Sequence, residues 1–111
     1  MRIAITSDPE ILVPPYRCGG IERIIDMLAK GLTERGHEVT LFAHEDSNTN
    51  AHLIPWPGHG STSKKDTFNN SVLLSRRIVD GNFDLVHSFS RIAYHDANIA
   101  VEHTQANNLP A

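Results

Sequence analysis

The chain has 111 residues, 40% of them hydrophobic and 21% charged, with a formal net charge of −3. That is the size of one domain with its own core, too short for a two-domain enzyme, and its scattered lysines and arginines form no basic stripe for a nucleic-acid backbone. No apolar run approaches the ~20 residues of a membrane span and the start lacks the features of a signal peptide, so a cytoplasmic protein without a transmembrane segment is expected.

Arg-Ile-Ala-Ile-Thr, residues 2–6, is nearly all apolar, as befits a parallel strand covered on both faces, and predicts the first strand of a βαβ unit. Residues 7–18 carry Pro9, Pro14 and Pro15, which forbid helix. A loop this long between a strand and a helix tends to be functional. It ends in Pro-Pro-Tyr-Arg-Cys-Gly-Gly-Ile-Glu, residues 14–22, the stretch around which the chain is organised. Gly19 and Gly20 have no Cβ, so a ligand can approach the backbone, and the unpaired N–H groups of the helical turn that follows, through Ile21 and Glu22, suit an anion such as a phosphate. The plainer reading is a tight turn that needs positive φ.

From Ile21 the pattern turns helical. Ile21, Ile24, Ile25, Leu28, Ala29 and Leu32 mark the expected buried face, and Glu22, Arg23, Asp26, Lys30, Glu34 and Arg35 the opposite one. Glu22, in the first turn, complements the helix dipole or offers a hydrogen bond to a ligand hydroxyl. Gly36 suits a left-handed cap, and Glu-Val-Thr-Leu-Phe-Ala, residues 38–43, predicts a second strand joined to the first by a right-handed crossover. Residues 44–63 are polar and turn-rich, interrupted at 52–57 by a short strand ended by proline and expected near a sheet edge.

Ser63 with Asp66 resembles a capping box, and Phe68, Val72, Leu73, Leu74, Ile78 and Val79 supply the apolar face of a second helix ending near Asp80-Gly81. Arg76 and Arg77 read as an anion site or, more simply, as a solvated face. Residues 83–88, Phe-Asp-Leu-Val-His-Ser, predict a further strand. Because ligands collect beyond the carboxyl ends of strands in open α/β sheets, His87, Ser88 and Arg91 are expected to share a rim with Gly19 and Gly20. His87 is equally open to a structural hydrogen-bonding role. Residues 98–102 suggest a last short strand before a polar tail, with too few residues between 89 and 98 for a comfortable crossover helix.

Other chemistries find little footing. One cysteine, Cys18, excludes an intramolecular disulfide and a cysteine-rich zinc site, and the seven histidines never form an i, i+4 pair, so no metal site is expected. A lowered-pKa nucleophile at Cys18 lacks a second cysteine or a histidine placed beside it by any sequence rule. A dinucleotide turn would follow the first strand directly, whereas a proline-rich loop intervenes.

Taken together, Met-Arg-Ile-Ala-Ile, the 14–23 stretch, Leu-Thr-Glu-Arg-Gly-His-Glu-Val-Thr-Leu-Phe-Ala and Phe-Asp-Leu-Val-His-Ser resemble, over about residues 1–94, the N-terminal domain of group 1 (family 4) retaining glycosyltransferases of the GT-B fold. The resemblance implies two Rossmann-like domains facing across a cleft, with nucleotide-sugar and acceptor as substrates; no cofactor is expected. It places the Gly19-Gly20 loop, with Glu22, close to the donor diphosphate. Cys18 stands where the family often has an aromatic, and Phe89 where many members have a second histidine. His103-Thr104 resembles the family's His-Thr, whose histidine contributes to the catalytic centre. The family's donor-binding C-terminal domain has no counterpart here, so the expectation is a single truncated domain over 1–111, inactive unless a separate chain supplies that half.

The expected fold is an α/β, Rossmann-like open sheet, mostly parallel, of four to five strands in order 3-2-1-4, with helices on both faces. Each face is then half covered, and a homodimer is the simplest protection for the remaining apolar surface.

Overall fold

The computed structural model describes residues 1–15, 19–60 and 62–89. Within these, β1 (Arg2–Thr6), α1 (Gly20–Glu34), β2 (Glu38–Ala43), β3 (His52–Pro55), α2 (Lys64–Gly81) and β4 (Leu85–Ser88) follow in chain order. The strands form one sheet in the order β3-β2-β1-β4, and every pairing is parallel. Register runs Ile3↔Val39 and Ile5↔Leu41 on one side of β1, and Ile3↔Leu85 and Ile5↔His87 on the other. The expected last strand at 98–102 lies outside the described residues.

Side-chain alternation along β1 and β2 sends residues to two cores. Ile3, Ile5, Val39, Leu41 and Ala43 pack with Ile25 and Ala29 of α1, while Ala4, Phe42, Ile54 and Trp56 pack with Leu74 of α2. Helices therefore lie on both faces, as a crossover that changes direction at β1 requires. Leu85 and His87 share the face of Ile3 and Ile5, yet both are exposed, so α1 leaves the β4 side of its face open.

Local signals place the helix ends. Gly36 has φ 89°, and the N–H groups of Gly36 and His37 donate to the carbonyls of Thr33 and Leu32, closing α1 with a Schellman turn. At the start of α2 the Ser63 hydroxyl accepts from the Asp66 N–H at 3.2 Å. Asn82, in the left-handed region, ends it.

Three expectations are corrected. The buried stripe of α1 is Glu22, Ile25, Asp26 and Ala29, whereas Ile21, Ile24 and Met27 are exposed. The apolar stripe of the sequence is wider than the strip meeting the sheet, and the contact is centred on Ile25 and Ala29, so one flank of the helix turns outward and the first turn's acid turns in. In α2, Phe68 and Val79 are exposed while Asn70 and Ser71 are buried. Asn70 earns its place by bonding both ways to Gly58: its Oδ1 accepts from the Gly58 N–H and its Nδ2 donates to the Gly58 carbonyl. Finally, β4 begins at Leu85, because Asp84 leads into the ladder: its N–H donates to the Arg2 carbonyl and its carboxylate accepts the Arg2 N–H.

Candidate functional site

Since all four strands run parallel, Thr6, Ala43, Pro55 and Ser88 end on one edge of the sheet. The chain leaves β1 toward β2 on one side and returns to β4 on the other, so the gap between the ends of β1 and β4 is a switch point, where side chains and loop backbone can surround a ligand. Two bonds tie that junction. The Thr6 hydroxyl donates to Ser88 Oγ at 2.6 Å, and the Phe89 N–H donates to the Thr6 carbonyl at 3.0 Å.

Ser7, the next residue, is fully buried. Its N–H donates to the Phe42 carbonyl and its carbonyl accepts from Trp56 Nε1 at 2.9 Å, whereas its Oγ has no hydrogen-bond partner. The loop that follows is fastened to the loop after β2, the Val13 N–H donating to Ser47 Oγ and the Asn48 N–H to the Val13 carbonyl. It thus reaches Pro15 in a defined position ahead of the glycine pair.

The two glycines differ. Gly19 is the residue before α1, with φ 121°, and a Cβ there would lie 3.1 Å from Pro15 and 3.2 Å from Glu22 Oε2. Its side chain is excluded by conformation and by crowding. Gly20 has neither constraint: nothing lies within 4 Å of where its Cβ would be. No side chain caps the helix, and the first ladder bond is made by the Arg23 N–H to the Gly19 carbonyl, which leaves the N–H groups of Gly20, Ile21 and Glu22 ahead of the ladder. Ile21 is exposed, and Glu22 is 5% exposed with its carboxylate folded back toward Gly19.

On the β4 side, His87 is exposed and lies flat against Phe89, ring centroids 4.6 Å apart and planes 8° from parallel. The residue in place of a second histidine thus supports the first one sterically. Ser88 is committed to Thr6. Arg91 and His103 lie outside the described residues.

A further pair at the same edge was not singled out from the sequence. His44, just after β2, and His59, in the loop after β3, stack with centroids 4.3 Å apart. The Asp46 N–H donates to His44 Nδ1, which leaves the ring proton on Nε2, and His59 Nε2 lies 3.7 Å from Glu45. Position after a strand end was the available signal; the stacking of two loops was not. Among the described residues no group of three or more His, Cys, Asp or Glu is arranged to hold a metal ion, and no helix is long and apolar enough to cross a membrane.

A parallel sheet that reverses direction at β1, with a glycine-led, uncapped helix just beyond that strand, belongs to the Rossmann-like α/β class, whose ligands sit at the carboxyl edge. Within that class, the family model described as Glycosyltransferase Family 4 matches residues 18–109, well over half of the sequence, and the chain belongs to that family. No curated protein matches it. The matched family is the one that the motifs resemble.

Proposed function

We propose that this chain is the acceptor-side, N-terminal domain of a transferase that moves a glycosyl group from a nucleotide-sugar, acting together with a donor-binding C-terminal half. The observation that carries the reading is Gly20: open space in front of its Cα, at an uncapped helix start beside the switch point. A diphosphate oxygen fits there, where N–H groups converge and a side chain would intervene. In this reading the exposed His87 faces a substrate hydroxyl, Glu22 lies behind the glycine pair, and His103 stands near the transferred sugar. No metal or cofactor takes part, and the protein works in the cytoplasm.

The test is an amide NMR titration of the chain with a nucleoside diphosphate and a nucleotide-sugar. Saturable shifts confined to Gly19, Gly20, Ile21 and His87 are expected. A folded spectrum that does not move at millimolar ligand refutes the half-site.

A second reading is a non-catalytic binding or oligomerisation module of the same fold, working as a homodimer. It is favoured by the exposed Ile21, Ile24 and Met27 on α1 and Leu85 on the open part of the same sheet face. Light scattering decides it, since a monomer at every concentration counts against the dimer.

A further inference from the structure

On the face of the sheet that α2 covers, a cleft of about 170 Å³ runs from Arg2 at the start of β1 past Thr40 and His52 to Ile54, beside the last turn of α2. Arg2, Thr40, His52, Arg77, Asp80 and Phe83 line it. Arg2 is preorganised: Nε donates to the Gly81 carbonyl at 2.9 Å, Nη1 pairs with Glu38 at 2.9 Å, and the guanidinium lies 5.9 Å from the Phe83 ring centre. The bond to Gly81 also occupies a carbonyl at the negative end of the helix dipole, which would otherwise repel an anion. Arg2 Nη2, the Arg77 guanidinium, the Thr40 hydroxyl and the His52 ring have no partner among the described residues. In a protein of net charge −3 this is a local concentration of unused donors.

We propose that this cleft binds a phosphate group, with Arg2 and Arg77 on its charged oxygens and Asp80 accepting a hydrogen bond from a protonated phosphate oxygen or an adjoining hydroxyl. Two guanidiniums match the oxygens of a phosphate in charge and in fork geometry. Asp80 is the discriminating group. Its carboxylate accepts but does not donate, so it repels an anion with no proton to give and welcomes one that has a proton. Sulfate, fully deprotonated at neutral pH, has none. The volume suits a small guest, since about 150 Å³ already holds a benzene-sized molecule. Arg2 lies roughly 13 Å from Thr6 along β1 at ~3.3 Å per residue, and Thr40, His52 and Ile54 lie on the side of β1 away from β4, so a ligand here leaves the switch point between β1 and β4 free.

The experiment follows amide shifts of the 111-residue chain on titration with sodium phosphate, sodium sulfate and a hexose phosphate at one ionic strength. Saturable shifts at Thr40, His52, Gly81 and Phe83 with phosphate at millimolar concentration, several-fold weaker with sulfate, are expected. Loss of a charge-assisted bond in Arg77→Gln should weaken phosphate about tenfold or more. Arg77 is exposed, so this variant is expected to keep its fold, which the rest of the spectrum reports. Asp80→Asn should narrow the gap between phosphate and sulfate. Tighter binding of the hexose phosphate assigns the cleft to an ester, and equal or weaker binding assigns it to free phosphate. Non-saturating shifts, equal response to phosphate and sulfate, or an unchanged affinity in Arg77→Gln overturns the proposal.

Discussion

The Thr6 hydroxyl donates to Ser88 Oγ at 2.6 Å, joining the ends of the two strands between which the sheet changes direction. Thr6 is fully buried, so its hydroxyl relies on protein partners rather than water. A double-mutant cycle of Thr6→Val and Ser88→Ala, read by urea unfolding, should give a coupling of about 0.5–1.5 kcal/mol. A coupling indistinguishable from zero would show that the two hydroxyls do not depend on each other.

The adjacent glycines should separate under substitution. Gly19→Ala forces a side chain into φ 121° and against Pro15, and should lose on the order of 1–3 kcal/mol of stability. Gly20→Ala meets open space at the first helical position and should be neutral or stabilising by up to about 1 kcal/mol. Under the proposed function the second variant nevertheless weakens nucleotide-sugar binding, because its methyl occupies the approach. Thermal unfolding together with the NMR titration checks both halves. A Gly20→Ala chain that binds as before removes that residue from the site.

How far the sequence could be read depends on which forces act locally. The bounds of β1 and β2 coincide with their apolar runs, Gly36 closes α1, and Ser63 caps α2, because each is set by a few neighbouring residues. The order 3-2-1-4 is the one expected of a Rossmann-like sheet, and with that order the right-handed crossovers put one helix on each face. The rotation of α1 did not follow, since six apolar residues spread over more of its circumference than the sheet can cover. The sequence pattern therefore puts Glu22 and Asp26 on the solvent face, whereas both are buried. Thr6–Ser88, the His44–His59 stack and the cleft at Arg2 join residues from 15 to 82 positions apart, and only register and loop packing bring them together.

The rotation of α1 has an energetic consequence at Asp26, which is 8% exposed. Its Oδ2 meets Lys30 at 3.0 Å, whereas Oδ1 is buried without a hydrogen-bond partner. Lys30 is half exposed, so the pair contributes only a few tenths of a kcal/mol. An orphaned buried oxygen costs more than that. Asp26→Ala also gains helix propensity of ~0.5 kcal/mol, so it should stabilise the protein by about 0.5–1 kcal/mol in denaturant unfolding. A loss of stability instead would mean that Oδ1 is satisfied by a bound water or ligand.

Trp56 reaches from the end of β3 to the end of β1, with its ring centre 5.5 Å from that of Phe42 and its Nε1 donating to the Ser7 carbonyl at 2.9 Å. It is 2% exposed, so this bond is made away from water, and losing the donor leaves the Ser7 carbonyl short of a partner. Trp56→Phe keeps an aromatic ring but removes the N–H and some volume, and should cost about 1–3 kcal/mol in unfolding followed by circular dichroism. The effect should also be directional. Ser7 begins the loop that leads to Pro15 and Gly19, so amide exchange should accelerate in residues 7–13 more than in α2. Equal acceleration in both would make Trp56 a general core residue rather than the anchor of that loop.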